Sequence, residues 1–266
     1  MSFIEVSNVD LVYRGNSADR SGEGTPALAG MELAIEEGSF VSVVGPSGCG
    51  KSTLLRLLSG LMLPSRGTVR VDGRRVDAPL KTVGIAFQNS TLLPWRNVRD
   101  NVLLPLEIVA PHRARFRKNK SVYVARTEKL LDAVGLDGFG DRMPWQLSGG
   151  MQQRAELCRA LIHEPAILLL DEPFAALDPF TREELWRILQ ALFTDRRCTV
   201  ILVTHELREA VFLSDTVHIM SARPGRVIAS RSIALTRPRL LEMTYRRDFV
   251  DLVQELRRHI GNARAA

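Results

Sequence analysis

The sequence predicts an α/β fold built on a mainly parallel sheet, with a block of helix set into it. Short apolar runs are the first sign: Ser39–Gly45 (SFVSVVG), Val83–Gln88 (VGIAFQ), Ala166–Glu172 (AILLLDE) and Thr199–His205 (TVILVTH). Continuous rather than alternating hydrophobicity marks strands covered on both faces, as in a parallel sheet. Helical spacing follows three of these runs, over Lys51–Gly60, Pro179–Thr194 and Glu206–Leu213, so strand and helix alternate. Between about Asn89 and Leu161 the strand pattern vanishes and helical patterns take over.

The remaining stretches fit around that core. Ser17–Pro26 (SADRSGEGTP) is polar and without periodicity, which predicts a surface loop between early strands. His112–Lys120 (HRARFRKNK) is a dense basic run; it reads as a solvated helix face, with a specific anionic partner as the alternative. Within Thr236–Ala266, Leu240–Ile260 has the pattern of an amphipathic helix, and no second folded regulatory domain is expected after it. The expected division is an α/β core over residues 1–88 and 162–235, a helical subdomain over 89–161 and a helical tail over 236–266. No repeat of fixed period is present.

Composition bounds the function. The chain has 266 residues, 45% hydrophobic and 25% charged, ordinary for a globular protein. No apolar run approaches the roughly 20 residues that span a bilayer. Met1–Asp10 (MSFIEVSNVD) lacks the basic start and apolar middle of a secretory signal. The expectation is a cytoplasmic chain that crosses nothing by itself. Cys49, Cys158 and Cys198 are too few and too scattered for a disulfide framework or a zinc site, which fits a reducing compartment. The formal charge of +6 suits an anionic partner in general, but no basic motif is interleaved with aromatics, so no nucleic-acid partner is expected.

The chemistry-bearing stretches are more specific. Gly45–Ser52 (GPSGCGKS) matches G-x-x-x-x-G-K-[ST] with Gly45, Gly50, Lys51 and Ser52 in place, and Thr53 follows. It lies after an expected strand and opens an expected helix. Backbone N–H groups of the turn from Gly45 through Thr53, those of Ser47, Gly48 and Cys49 among them, close around phosphate oxygens at a helix N-terminus; Pro46 lies in the same turn but has no N–H to give. Lys51 reaches the β- and γ-phosphates of a nucleoside triphosphate, and the Ser52 hydroxyl ligates Mg²⁺. In the run ILLLDEP the apolar strand delivers Asp171 and Glu172 to the sheet rim. Asp171 suits Mg²⁺, held through water, and Glu172 suits orienting and deprotonating an attacking water. An acidic pair after a strand is also an ordinary start to a helix. His205 ends the next apolar run, where an imidazole can touch the γ-phosphate; standing alone it is also an ordinary strand-end histidine. Leu147–Arg154 (LSGGMQQR) is a second stretch with the chemistry of a phosphate cradle.

Taken together, GPSGCGKST, LSGGMQQR, ILLLDEP, ALD at Ala176–Asp178 and VTHE at Val203–Glu206 resemble the ATPase subunit of ABC transporters, in that family's order and over most of the chain. The resemblance implies a P-loop NTPase core with a mainly parallel sheet, an N-terminal antiparallel β part and an inserted all-helical subdomain. It also implies a head-to-tail pair of subunits with two ATP molecules between them, bound with Mg²⁺. Ser148, Gly149 and Gly150, with Gln152 beside them, then close over the nucleotide held by the other subunit's phosphate loop. By the same resemblance Tyr13 stacks on adenine, Gln88 contacts Mg²⁺ and the attacking water, Asp178 crosses the dimer interface and His205 is the switch histidine. A tyrosine at position 13 is also consistent with plain packing.

LLPWRNVRDNV after Gln88, and SARPGRV at Ser221–Val227, are similar to importers of nitrate, sulfonates, taurine and thiamine precursors. This resemblance implies a subunit on the cytoplasmic face of a bacterial inner membrane, with permease subunits bound through the helical subdomain. It implies a periplasmic substrate-binding protein in the same system, and a second ATPase subunit, expected to be identical. Asn89–Arg96 then receives a coupling helix, with Leu92, Leu93 and Trp95 either giving apolar contacts or serving as subdomain core. The alternatives are the ATPase of a lipid or drug exporter and a soluble ABC ATPase acting on DNA or ribosomes. Finally, the positive field of the phosphate loop is expected to lower the Cys49 thiol pKa and make it reactive.

Overall fold

The computed structural model describes residues 2–13, 24–175, 177–195 and 198–265. Contacts divide the chain into two compact units, Met1–Leu80 with Ile201–Ala266, and Lys81–Val200. Most of the predicted loop Ser17–Pro26 lies outside the described residues, while Thr25 and Pro26 begin a strand instead of ending a loop.

The first unit opens with an antiparallel sheet. Strands β1 (Ile4–Tyr13), β2 (Thr25–Ile35), β4 (Arg66–Val71) and β5 (Arg74–Arg75) lie in the order β2-β1-β4-β5. On β1 the buried side chains are Ile4 and Val6, then Val9 and Leu11. The alternation slips by one where the register shifts between Val6 and Val9 and Asn8 takes φ 47°. One extra residue there returns the apolar face to the core. Asp72 and Gly73 both have positive φ, as a two-residue hairpin turn between β4 and β5 requires.

The same unit holds β3 (Phe40–Val44), with β9 (Thr216–Met220) parallel beside it and β10 (Val227–Ser232) antiparallel on the outer side of β9. All five residues of β3 are buried, as its continuous apolar run predicts. Helix α1 (Lys51–Leu58) follows β3 and buries Leu54, Leu55, Leu57 and Leu58. Helix α7 (Leu207–Leu213) buries its last five residues, and α8 (Arg247–Ala265) ends the chain. The tail is not the single helix predicted over Leu240–Ile260. Leu241–Tyr245 is a 3-10 turn, Arg246 is extended at φ −73° and ψ 150°, and α8 starts only afterwards. Asp248 in the first turn of α8 pairs with Arg246 at 2.8 Å, an acidic start signal inside what periodicity reads as one helix. The amphipathic spacing itself is present, with Phe249 and Leu256 buried one face-repeat apart.

The second unit carries β6 (Val83–Ala86) parallel to β7 (Ile167–Asp171) and the first two residues of β8 (Thr199–Thr204), whose other residues belong to the first unit. Every residue of β7 and β8 is buried. No strand falls between β6 and β7 among the described residues; that stretch is α2 (Val98–Ile108), α3 (His112–Arg115), α4 (Lys120–Ala133) and α5 (Gly149–Leu161). Asn97 caps α2 by accepting from Asp100 N–H at 2.7 Å. Val102, Leu103 and Leu106 of α2, Leu130 and Leu131 of α4, and Leu157 and Leu161 of α5 are buried where these three helices meet. The basic run is a one-turn helix, a turn over residues 116–119 and the first residue of α4, with Arg113, Arg115, Arg117, Lys118 and Lys120 exposed to solvent. Helix α6 (Pro179–Asp195) completes the unit.

Candidate active site

The loop from Gly45 to Gly50 leads from β3 into α1 and is built to present backbone N–H groups. Gly48 and Gly50 have φ of 75° and 101°. A Cβ on Gly50 would also meet Leu28 Cδ2 at 2.8 Å, so only glycine fits there. No side chain caps the first turn of α1, and the first N–H groups of a helix have no partner within it. Lys51 is buried and folds over the loop, its ammonium donating to the carbonyls of Gly45 and Pro46, each at 3.0 Å. The loop thus puts together a lysine, two left-handed glycines and an uncapped helix start. This fits a triphosphate.

Two neighbours hold the loop. Tyr13, last in β1, shares a hydrogen bond of 2.9 Å with Thr53 Oγ1 on α1, which brings the tyrosine alongside the phosphate loop. Gly225, from the SARPGRV stretch, packs behind the loop, where a Cβ would lie 2.0 Å from the Cys49 carbonyl. Gly225 also exchanges backbone hydrogen bonds with Ala27 and Ala29 on β2. Cys49 itself is 1% exposed. Burial pushes its thiol up, outweighing the attraction of Lys51. The expected acidic thiol is therefore corrected: Lys51 does pull the right way, but desolvating a thiolate costs more than that charge returns.

In the second unit, the end of β7 delivers Asp171, 8% exposed, and Glu172 next to it. Glu172 takes φ 48°, a left-handed conformation rare for a side chain of its size. Its carboxylate accepts from Gln88 Nε2 at 3.2 Å. Gln88 does not end a strand as expected: β6 stops at Ala86, and Gln88 lies in a bend two residues on. That bend is tied to α5 at several points which sequence reasoning missed. Gln153 Nε2 donates to the Gln88 carbonyl at 3.1 Å, and the Glu156 carboxylate accepts from Thr91 N–H and Oγ1 at 3.1 and 2.7 Å. Glu156 is 1% exposed and pairs with Arg159 at 2.9 Å. The only sequence signal was a glutamate on a helix face that should be apolar.

Ser148 caps α5, its Oγ accepting from Met151 N–H at 3.3 Å. Ser148 and Gly149 are exposed, and a Cβ on Gly149 would meet nothing within 4 Å. Gly150 faces inward instead, its would-be Cβ 2.6 Å from Leu177 Cδ2. Gln152 turns back, donating to the carbonyls of Pro144 and Leu147 at 3.0 and 3.3 Å, so its amide braces the loop. Asp178 accepts from the N–H groups of Phe180 and Thr181, each at 3.1 Å, capping α6; the Thr181 side chain first, and then these N–H groups, hold its carboxyl below the usual range. Ala176 lies outside the described residues. His205, in the first unit, is exposed one residue after β8.

The stretch Asn89–Arg96 separates its apolar residues. Leu92 is buried, which assigns it to the core, whereas Trp95 is 72% exposed. Asn101, fully buried, holds the turn beneath Trp95. It accepts from Leu93 N–H at 2.6 Å and donates to the carbonyls of Leu93, Arg96 and Asn97 at 3.1, 2.9 and 3.0 Å.

A phosphate loop, an Asp-Glu pair at a strand end and an LSGG helix start in one chain define a class. The family model described as ABC transporter matches residues 28–175, and the chain belongs to that family as an ATP-binding subunit. It is an ATPase whose hydrolysis is coupled to transport. An uncharacterised ABC transporter ATP-binding protein of Methanocaldococcus jannaschii is 41% identical over 256 residues, covering 95% of this chain and 91% of its own. The taurine import ATP-binding protein TauB of Escherichia coli K12 is 43% identical over 205 residues, 77% of this chain and 78% of its own, consistent with the nitrate, sulfonate and taurine group. Among solved structures, the dimeric ATP-binding cassette MJ0796 bound to ADP and phosphate superposes with a TM-score of 0.74 at 30% identity. It covers 88% of this chain and 100% of that one. Clostridium perfringens cbiO1, part of the transporter complex cbiONQ, matches with a TM-score of 0.71 at 25% identity over 100% of this chain and 99% of its own. No helix among the described residues is long and apolar enough to cross a membrane.

Proposed function

We propose that the chain is the ATP-hydrolysing subunit of a bacterial importer for a small solute of the nitrate, sulfonate or taurine kind. Two copies pair head to tail on the cytoplasmic face of the inner membrane. The phosphate loop of one copy and Ser148, Gly149 and Gly150 of the other clasp each ATP. The observation that carries this reading is the exposed, glycine-opened N-terminus of α5, whose Ser148 and Gly149 meet solvent. A helix start of that kind binds anions, and this chain already holds a complete phosphate loop elsewhere, so the second is for a partner's nucleotide.

Within each site the roles divide by chemistry. Lys51 neutralises the β- and γ-phosphates, and Tyr13 stacks on the base. Ser52, Asp171 and Gln88 offer only oxygen donors, the set that suits Mg²⁺, which keeps several waters and phosphate oxygens in its shell. Glu172, held by Gln88, takes the proton of the attacking water; the water oxygen bonds to the γ-phosphorus as the bond to ADP breaks. His205 touches the γ-phosphate, and Asp178 meets the facing subunit. The chain divides into an α/β core of 1–88 and 162–235, a helical subdomain of 89–161 and a tail of 236–266. Trp95, with Leu93 beside it, receives the permease on the subdomain, and a periplasmic binding protein delivers the solute.

Closure of the dimer on ATP then moves the permease, because ATP binds the closed form in preference to the open one. Reconstitution in proteoliposomes with the neighbouring permease tests this. ATP hydrolysis should rise when the solute-loaded binding protein is added. Stimulation by a lipid or drug alone, with no binding protein, would make the complex an exporter.

A further inference from the structure

His205 owes its position to α7. The Thr204 hydroxyl accepts from Glu206 N–H at 3.0 Å and donates to Glu209 Oε2 at 2.6 Å, while Glu206 Oε1 accepts from Arg208 N–H at 3.1 Å. The backbone on both sides of His205 is thus fastened to the first turn of α7, and wherever that helix sits, the imidazole follows. With seven residues, α7 is too short to keep its place unaided.

The chain beyond β10 grips α7 at both ends. At its C-terminus Arg239, 2% exposed, donates to the carbonyls of Val211, Phe212 and Ser214 at 2.8, 3.0 and 2.8 Å. Arg237 adds a hydrogen bond to the Leu213 carbonyl. These are the carbonyls that a helix end leaves without partners. At the N-terminal turn, Arg208 donates to Thr244 Oγ1 at 3.0 Å and lies 5.7 Å from the centre of the Tyr245 ring. Tyr245 is 78% exposed, so core packing does not account for the ring; the guanidinium against its face does.

We propose that the segment Arg237–Tyr245 is a clamp that positions His205, with Arg208, Thr244 and Tyr245 as its positioning residues. This rests on the reading of His205 as the γ-phosphate contact. Because Arg208 stands three residues beyond His205, loosening this end of α7 lets the imidazole drift while the phosphate loop and its affinity for ATP stay as they were. The coupling makes the C-terminal segment part of the hydrolytic apparatus without touching substrate.

A double-mutant cycle on the full chain decides the matter. Arg208→Ala and Tyr245→Ala should each lower kcat for ATP about tenfold, with KM and the thermal midpoint unchanged and Arg208→Lys recovering part of the loss. In a His205→Ala background, followed by single-turnover hydrolysis, the same substitutions should have no further effect. If His205→Ala slows single-turnover hydrolysis to a measurable residual rate and the Arg208 and Tyr245 losses still multiply with it, the clamp is overturned and the role of His205 stands. If His205→Ala hydrolyses at the normal rate, the role of His205 falls and the clamp with it.

Discussion

Gln88 donates its side-chain amide to Glu172 at 3.2 Å, joining the bend after β6 to the carboxylate at the end of β7. The same residue's carbonyl is held by Gln153 of α5. The helix that begins with Ser148 is therefore linked, through Gln88, to the carboxylate proposed to activate water. A shift of α5 would be passed through Gln88 to Glu172, the route by which the subunit closure proposed above would reach hydrolysis.

Glu172→Gln keeps the size and the left-handed backbone but loses the carboxylate proposed as the base. ATP affinity should stay within about twofold of the parent, while hydrolysis falls at least about 100-fold. Filter binding and phosphate release measure the two separately. Normal turnover in this variant would remove Glu172 from the chemistry.

Glu156 is the buried hub of the link, with Thr91 and Arg159 both on its carboxylate. Glu156→Ala takes the carboxylate partner from Arg159, leaving its guanidinium only Thr91, and should cost about 3 kcal/mol of stability. Urea unfolding reads that loss. Hydrolysis should fall in the fraction that remains folded, because the bend after β6 keeps its tie from Gln153 to Gln88 but loses the one at Thr91.

Gly225 lies where a Cβ would meet the Cys49 carbonyl at 2.0 Å, and backbone cannot swing aside as a side chain would. Gly225→Ala should push the phosphate loop out of shape and weaken ATP binding about tenfold, as calorimetry would show. Unaltered affinity would mean that the loop tolerates movement from behind.

His218 is buried on β9, its Nδ1 sharing a 2.7 Å hydrogen bond with Ser230 Oγ. Burial pulls it down to about 4 from an ordinary 6.5. As pH falls through 6.5 the unfolded chain takes up a proton that the folded chain refuses. Stability is therefore lost between about pH 6.5 and 4 and levels off below, by about 3 kcal/mol at most. His218→Gln should abolish this part of the slope, so that urea midpoints of variant and parent draw together or cross as pH drops to 4.5. An unchanged difference would place the titration elsewhere.

Cys49 provides a test of the corrected thiol chemistry. A buried thiol with a raised pKa should react with iodoacetamide far more slowly than a free cysteine at pH 8. Rapid modification of the native chain would show that the loop opens in solution.

Motifs were legible where the chemistry sits in one short stretch, as in Gly45–Thr53 and Leu147–Arg154, because each turn dictates its own residues. The fully buried strands β3, β7 and β8 were legible from unbroken apolar runs. Strand β1 was not, because the bulge at Asn8 breaks its alternation. The exposed residues of β10 carry no periodic signal either. Glu156 and Thr91 stand 65 residues apart, as do Gln153 and Gln88, and no local pattern joins them. The break at Arg246 comes with its extended backbone and its pairing with Asp248 at the start of α8, a two-residue feature that periodicity does not see.

Sedimentation of the full-length Glu172→Gln chain, with and without ATP, tests most directly whether each nucleotide is gripped by two copies. ATP should convert monomer to dimer with two nucleotides bound, and adding Ser148→Arg should abolish the dimer while each monomer still binds ATP. An ATP-saturated Glu172→Gln chain that stays monomeric, or a Ser148→Arg chain that dimerises and hydrolyses normally, would contradict the shared site.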